Sequence, residues 1–348
     1  MNKLMKPLIQ KLTETFSPSG YETAIREVIR AEIKPFADEL QVDPLGSLIA
    51  HKAPKGASVS SKGSRAKDPA KVKRIMLAAH MDEIGLMATH IDENGFIRFT
   101  GVGGIRPAGL TGSRVRFMDG TSGVIGSDRI SDLTKTPTLE QCFIDVGATG
   151  KKDCPVKVGD VCAFDRPFLD LGKRLVAKSM DDRIGCAVLI ETLRSLNSSP
   201  HELYFVFTTQ EEIGTRGATA SAFGVDPDIG LAVDVTGTGD TPKSSKMEVA
   251  LGNGPAIKVK DGGMLADPRI VEWMVRTAVK AKVPCQREVL EGGTTDARAI
   301  QLARAGVPAG CLSVPSRYIH SPSEMVDYND VQNSVNLLIA LLTAPIDL

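Results

Sequence analysis

The apolar positions change period along the chain, and each change predicts an element. In residues 21–33, Ile25, Val28, Ile29 and Ile33 recur at helical spacing, and Pro35 follows as a stop. That stretch reads as an amphipathic helix. The runs ELQV (39–42) and SLIAHK (47–52) flank the turn Asp43-Pro44-Leu45-Gly46 and predict a hairpin. Residues 53–73 are rich in Ser, Lys, Gly and Pro, with almost no apolar periodicity. Strands flank them on both sides, so they read as a surface loop within one domain. Apolar runs at RIMLAAH (74–80), ELYFVFTT (202–209) and IGLAVDV (229–235) predict strands. Helices are expected over DRIGCAVLIETLRSL (182–196) and from Asp267-Pro268, where Asp suits the N-cap and Pro the first helical position.

Between residues 83 and 169 the pattern differs. Short strands alternate with the turn signals Asn94-Gly95, Gly103-Gly104 and Asp119-Gly120, and no helix interrupts them. The expected fold class is therefore α/β. A discontinuous α/β domain, 1–82 with 170–348, is split by a small all-β insertion at 83–169.

Composition narrows the function. Forty-two basic residues balance 42 acidic ones, and no basic run stands out, which argues against a nucleic-acid partner. Cys142, Cys154, Cys162, Cys186, Cys285 and Cys311 form no C-x-x-C pair, so a thiolate zinc site or disulfide scaffold is not expected. Buried thiols in a reducing compartment are expected instead. The N-terminal MNKLMKPLIQKLTETF lacks the continuous apolar core of a signal peptide. The run VNLLIALL (335–342) is far shorter than the ~20 residues of a membrane helix. A cytoplasmic protein with no membrane partner is the expectation.

Acidic groups and histidines gather where predicted strands end. His80 closes RIMLAAH, and Asp82 follows on the same face of an extended chain, where a carboxylate can hold one imidazole nitrogen while the other meets a metal. Alone, His80 also fits a satisfied core histidine. Asp181 and Asp182 directly precede a helix and would serve equally as its caps. Glu211 and Glu212 leave an apolar strand, and a solvated pair is their ordinary explanation. Asp234 lies inside an apolar run, which is costly unless it is paired or metal-bound. His320 follows the strand AGCLSV (309–314). Loops at one edge of a parallel sheet converge, and a carboxylate-rich set with one imidazole per ion suits two borderline divalent cations.

Other residues carry weaker readings. His51, His90 and His201 are expected in structural or surface roles, and the glycines at 101–104 lack the helix a phosphate loop requires. Thr294, Thr295 and Asp296 either line a pocket or cap a helix. Lys260, Arg287 and Arg317 either serve acidic substrate side chains or are solvated. Adjacent Glu211 and Glu212 cannot easily straddle a sugar, which disfavours a glycosidase.

Six motifs, AAHMDEIGLM, KSMDDRIG, TTQEEIGTRGA, AVDVTGTGDTP, GGTTDARA and RYIHSPSE, occur in order across residues 75–325. In this the chain resembles the tetrahedral (TET) family of dinuclear metalloaminopeptidases, which includes glutamyl and deblocking aminopeptidases. The resemblance implies a mixed-sheet α/β/α metallopeptidase domain with an inserted β domain used for dimerisation and for a twelve-subunit tetrahedral shell. It implies two divalent ions per subunit, zinc foremost, with cobalt or manganese also suited. Asp181 would bridge them, with His80 and Asp234 on one ion and Glu212 and His320 on the other. Glu211 would be the general base, Asp82 would orient His80, and a cis peptide would lie at Asp182. The nucleophile would be a hydroxide bridging the metals, and the substrates peptides with a free N-terminus. The 53–73 loop looks longer than is usual in the family.

Overall fold

The computed structural model describes residues 5–55, 72–130, 135–346 and 348. The loop expected at 53–73 therefore lies, from 56 to 71, outside the described residues.

The apolar runs form the middle of a mixed sheet. Strands Glu202–Thr208, Arg74–His80, Ile229–Thr236 and Ala309–Arg317 lie side by side and parallel. The hairpin Glu39–Val42 with Leu48–Lys52 adds antiparallel at one edge. Glu324–Asp327, Arg174–Ala177 and Leu169–Asp170 extend the other edge, also antiparallel, and Ala256–Lys260 branches from Ala309–Arg317 to pair Gln286–Val289.

Alternation sorts the central side chains to two faces. Ile75, Leu77, Ala79, Phe205 and Phe207 face helices Met5–Glu14, Thr23–Ile33, Met180–Ser195, Pro268–Ala281 and Tyr328–Leu342 in one large core. Met76, Ala78 and Val206 face the short helices Arg216–Val225 and Asp296–Gln301. The helix beginning at Met180 is buried from Met180 through Leu193; its stretch 184–190 is apolar on every side, and Asp181, Asp182, Arg183 and Glu191 are buried with it. Asp267 caps its own helix by accepting Arg269 N–H at 2.9 Å, with Pro268 next. The helix Met5–Glu14 was not expected. Its apolar face, Leu8, Ile9 and Leu12, is short, and it acquires its helical form by packing on the core.

Six strands between Gly85 and Phe164 close into a barrel in the order Gly85–Ile91, Ile97–Val102, Cys142–Asp145, Ser122–Ser127, Arg114–Phe117 and Val161–Phe164. Phe99, Val115, Phe117, Ile144 and Phe164 fill it as a separate core. Asn94-Gly95 is a turn, with Gly95 at φ 91°, and Asp92 accepts the N–H groups of Asn94 and Gly95.

Candidate metal centre

The carboxyl ends of the parallel strands share one edge of the sheet, which is where such folds open a crevice. His80 is the last residue of its strand, and Thr208 pairs beside it, so the next turn delivers Glu211 and Glu212 to the same place. Asp234, near the end of its own strand, pairs with Ser313 of the neighbouring strand, whose continuation carries His320. Asp181 reaches this edge from the start of the buried helix, after a left-handed Ser179 at φ 55° and before a cis peptide to Asp182.

Asp181 stands between the two imidazoles. Its Oδ1 lies 2.9 Å from His80 Nε2 and its Oδ2 lies 3.3 Å from His320 Nε2. Glu212 Oε2 lies 3.2 Å from the same His320 nitrogen. Two three-residue groups result: His80, Asp181 and Asp234, then Asp181, Glu212 and His320. Each supplies ligand-type atoms within 4.8 Å of one another. Glu211 lines the same cavity, of about 760 Å³, with its Oε1 buried and unpartnered, like Oε1 of Glu212.

Asp182 is turned away from the cluster. It accepts Gly185 N–H at 3.0 Å and His80 N–H at 3.3 Å. The capping reading of the aspartate pair therefore holds for Asp182 and not for Asp181. Asp82 contacts His80 Nδ1 through its carbonyl oxygen at 3.2 Å, with the carboxylate at 3.5 Å. That carboxylate accepts Ser19 Oγ at 2.5 Å and the backbone N–H groups of Glu211 at 3.0 Å and Glu212 at 3.2 Å, so it also fixes the acidic turn.

Charge in this pocket is out of balance. Burial, with the negative charge of neighbouring carboxylates, raises the pKa of Asp182, Glu211, Glu212 and Asp234. Burial would lower His320, but hydrogen bonds to Asp181 and Glu212 carry it to about 11. His80 is likewise raised well above its usual value by Asp181 and Asp82, against burial. Hydrogen bonds from both imidazoles outweigh burial at Asp181 and lower it. The carboxylates of Asp181, Glu211, Glu212 and Asp234 with the two imidazoles, three of the six buried (His80, Asp181 and Asp234), call for bound protons or bound cations. Imidazole with carboxylate is a donor set suited to borderline divalent ions, and the unpartnered oxygens fit such occupancy.

Several supporting residues carried no assignment in the sequence. Glu324 is buried and accepts Asp181 N–H at 2.8 Å and His320 N–H at 2.7 Å, fixing the backbone at both. It stands in RYIHSPSE, so the motif contained it, but nothing in the sequence distinguished its role. Gly103 and Gly104, read as a turn, press the barrel against the site. A Cβ on Gly104 would lie 2.5 Å from His320 Nδ1. Glu83, Lys178 and Arg183 form a buried cluster behind Asp181, with Lys178 Nζ 2.5 Å from Glu83. Thr294 lines the cavity, Thr295 caps the next helix, and Asp296 accepts Thr208 Oγ1 beneath the strand end. The remaining histidines take other places. His90 is exposed, His201 bonds to Lys73 N–H and Ala344 O, and His51 lies 3.3 Å from Glu202, a cross-strand partner that spacing did not reveal.

The α/β/α sheet with a carboxylate-and-imidazole cluster at its crevice defines a hydrolase of the metallopeptidase type. The M42 glutamyl aminopeptidase family model matches residues 61–337. The lysyl aminopeptidase of Pyrococcus furiosus is 35% identical over 350 residues, covering 96% of each chain. Aminopeptidase APDkam598 from Desulfurococcus kamchatkensis superposes with a TM-score of 0.90 at 39% identity, covering 97% of this chain and 94% of that one. The TET1 peptidase of Pyrococcus horikoshii, described as assembling into a tetrahedron or a large octahedral shell, superposes at 0.85 with 33% identity, covering 97% and 99%. The chain belongs to the M42 family of aminopeptidases and is a peptide-bond hydrolase.

Proposed function

We propose that this aminopeptidase removes N-terminal residues from peptides using two divalent cations. His80, Asp181 and Asp234 would hold one, and Asp181, Glu212 and His320 the other. The observation that carries this reading is the placement of one buried carboxylate with an oxygen toward each imidazole. When bound, such a pair supplies Lewis acidity to the scissile carbonyl and acidifies water towards neutral pH.

The chain's own groups do the rest. Glu211 takes the proton of the attacking water and returns it to the leaving amine. Its free Oε1 and its raised pKa, caused by burial and by the charges of Asp234, Asp296 and Glu212, favour that exchange. Asp82 keeps the Glu211-Glu212 turn and His80 in register. The substrate's free α-amine is anchored by the surrounding carboxylates, which makes the enzyme an exopeptidase. Zinc is the foremost candidate ion, with cobalt and manganese also suited to these ligands.

The barrel region, 83–169, is proposed as the assembly unit inserted into a catalytic domain of 1–82 and 170–348. On the pattern of the Pyrococcus horikoshii peptidase, the chain would form a homo-oligomer, a tetrahedral dodecamer in the simplest case. All six cysteines are free, which fits a cytoplasmic, reducing location.

Glu211→Gln tests the chemistry. It should retain both metals and lose roughly 100-fold or more of aminoacyl-anilide turnover. A wild-type rate in that variant would remove Glu211 as the base.

A further inference from the structure

The turn that carries Glu211 is held by two segments distant from it in sequence. Gln210, the residue before Glu211, has a left-handed backbone with φ 55°. A residue with a side chain enters that region only at a cost, and stays there when its backbone groups are tied down. The carbonyl of Gln210 accepts Arg216 N–H at 3.2 Å, a bond internal to the loop. Its N–H instead reaches across the fold to Glu22 Oε1, at 3.1 Å. Three successive N–H groups, of Gln210, Glu211 and Glu212, therefore point at two carboxyl groups, the first at Glu22 and the other two at Asp82. Successive main-chain donors in a turn make a concavity suited to such oxygens.

Glu22 ends the segment Ser17-Pro18-Ser19-Gly20-Tyr21-Glu22, which runs along Asp82 and Glu83. Pro18 forms an isolated bridge with Glu83, and Ser19 donates its hydroxyl to Asp82 Oδ2 at 2.5 Å. Pro18 O accepts Tyr21 N–H at 2.9 Å across a turn with Gly20 at φ 87°, and that turn brings Glu22 inward. There Glu22 is only 4% exposed, and its Oε1 also accepts Gly20 N–H at 2.7 Å. It stands at the N-cap of helix Thr23–Ile33 without making a capping bond, so the helix does not account for its carboxyl group. It also lies outside the lining of the metal cavity.

We infer that Glu22 is a positioning residue for the reaction: by holding Gln210 N–H it fixes the left-handed link that aims Glu211 at the attacking water. This role rests on the reading of Glu211 as the base. A misplacement of about 1 Å can cost about 100-fold in rate, so an anchor one residue from the base acts on turnover more than on binding. The acceptor oxygen carries the role, and the charge does not. Burial and the charge of Asp82 raise the pKa of Glu22, which marks a place that suits a neutral acceptor equally well.

The experiment is steady-state kinetics on an aminoacyl-anilide that wild type hydrolyses, with metal-replete wild type, Glu22→Gln, Glu22→Ala and Glu211→Gln, and divalent ions counted per chain. Glu22→Gln keeps an oxygen in the place of Oε1 and should hold kcat within about threefold of wild type. Glu22→Ala removes that oxygen and should lower kcat roughly 10- to 100-fold, with KM changed less than about threefold and the wild-type ion content retained. A general loosening of the fold would also shed ions and raise KM. Wild-type kcat in Glu22→Ala would overturn the inference, and so would a Glu22→Gln variant that falls as far as Glu22→Ala. If Glu22→Ala does not fold, Glu22→Asp takes its place. The shorter side chain keeps the charge and withdraws the oxygen, so kcat should fall about tenfold, and an unchanged kcat would overturn the inference equally. Glu211→Gln separates the two ways of failing. A wild-type rate in that variant ends the base reading itself, whereas an impaired Glu211→Gln beside a fully active Glu22→Ala ends only the role of Glu22.

Discussion

Asp181 is held at its backbone by one partner and faces two others with its side chain. Glu324 accepts its N–H while His80 and His320 approach its two oxygens. The acids and imidazoles of this cluster were legible in the sequence because they stand within or at the end of an apolar run, or, for Asp181, at the start of a helix, and a charge inside an apolar run is costly without purpose. Glu324 was not legible in the same way. Its partners are main-chain N–H groups, which leave no trace in residue identity. Removing cations should expose the cluster's imbalance. Buried Asp182, Asp234, Glu211, Glu212 and Glu324 all have raised pKa values, with burial as the largest cause. A carboxyl raised above its unfolded value binds its proton more tightly when folded, so stability grows as pH falls. A raised imidazole contributes stability that is complete below its unfolded value of ~6.5 and is lost as pH climbs through its folded value. For His320 that value is about 11. Both slopes have one sign. Thermal melts of chelated protein should therefore show rising stability from about pH 9 to about pH 6. A flat or reversed trend would contradict the assigned burial of these groups.

At the scale of elements, the parallel strands were readable because runs such as RIMLAAH and IGLAVDV are apolar on both faces. The helix Met5–Glu14 was not, since ten residues with a proline in the first turn give too short a pattern. The turn at Gly103-Gly104 shows a different limit. Its glycines signalled a change of direction, and Gly103 does adopt φ 86°. What the sequence did not reveal is that the loop leaves the barrel to approach Glu212 and His320. Gly104 must lack a side chain because a Cβ would lie 2.5 Å from His320 Nδ1 and 2.8 Å from its Cε1. Gly104→Ala should push the imidazole aside and weaken cation binding on the Glu212–His320 side by about tenfold. Competition against a chelator would read this directly. Unaltered affinity at both sites would mean that the barrel loop does not position His320.

Among the described residues, one sheet with five helices on one face and two on the other brings together residues up to 240 positions apart, His80 and His320. No described helix is long and apolar enough to cross a membrane. The barrel contributes its own core, yet its Gly103-Gly104 turn reaches the crevice, so the inserted region and the site are mechanically joined. The central claim is that Asp181 is common to two cations. Native mass spectrometry of metal-replete protein tests it most directly. Wild type should appear as a multi-chain assembly carrying two divalent ions per chain, and Asp181→Ala should lose both. A wild type with one ion or none per chain, or an Asp181→Ala variant that keeps two, would contradict it.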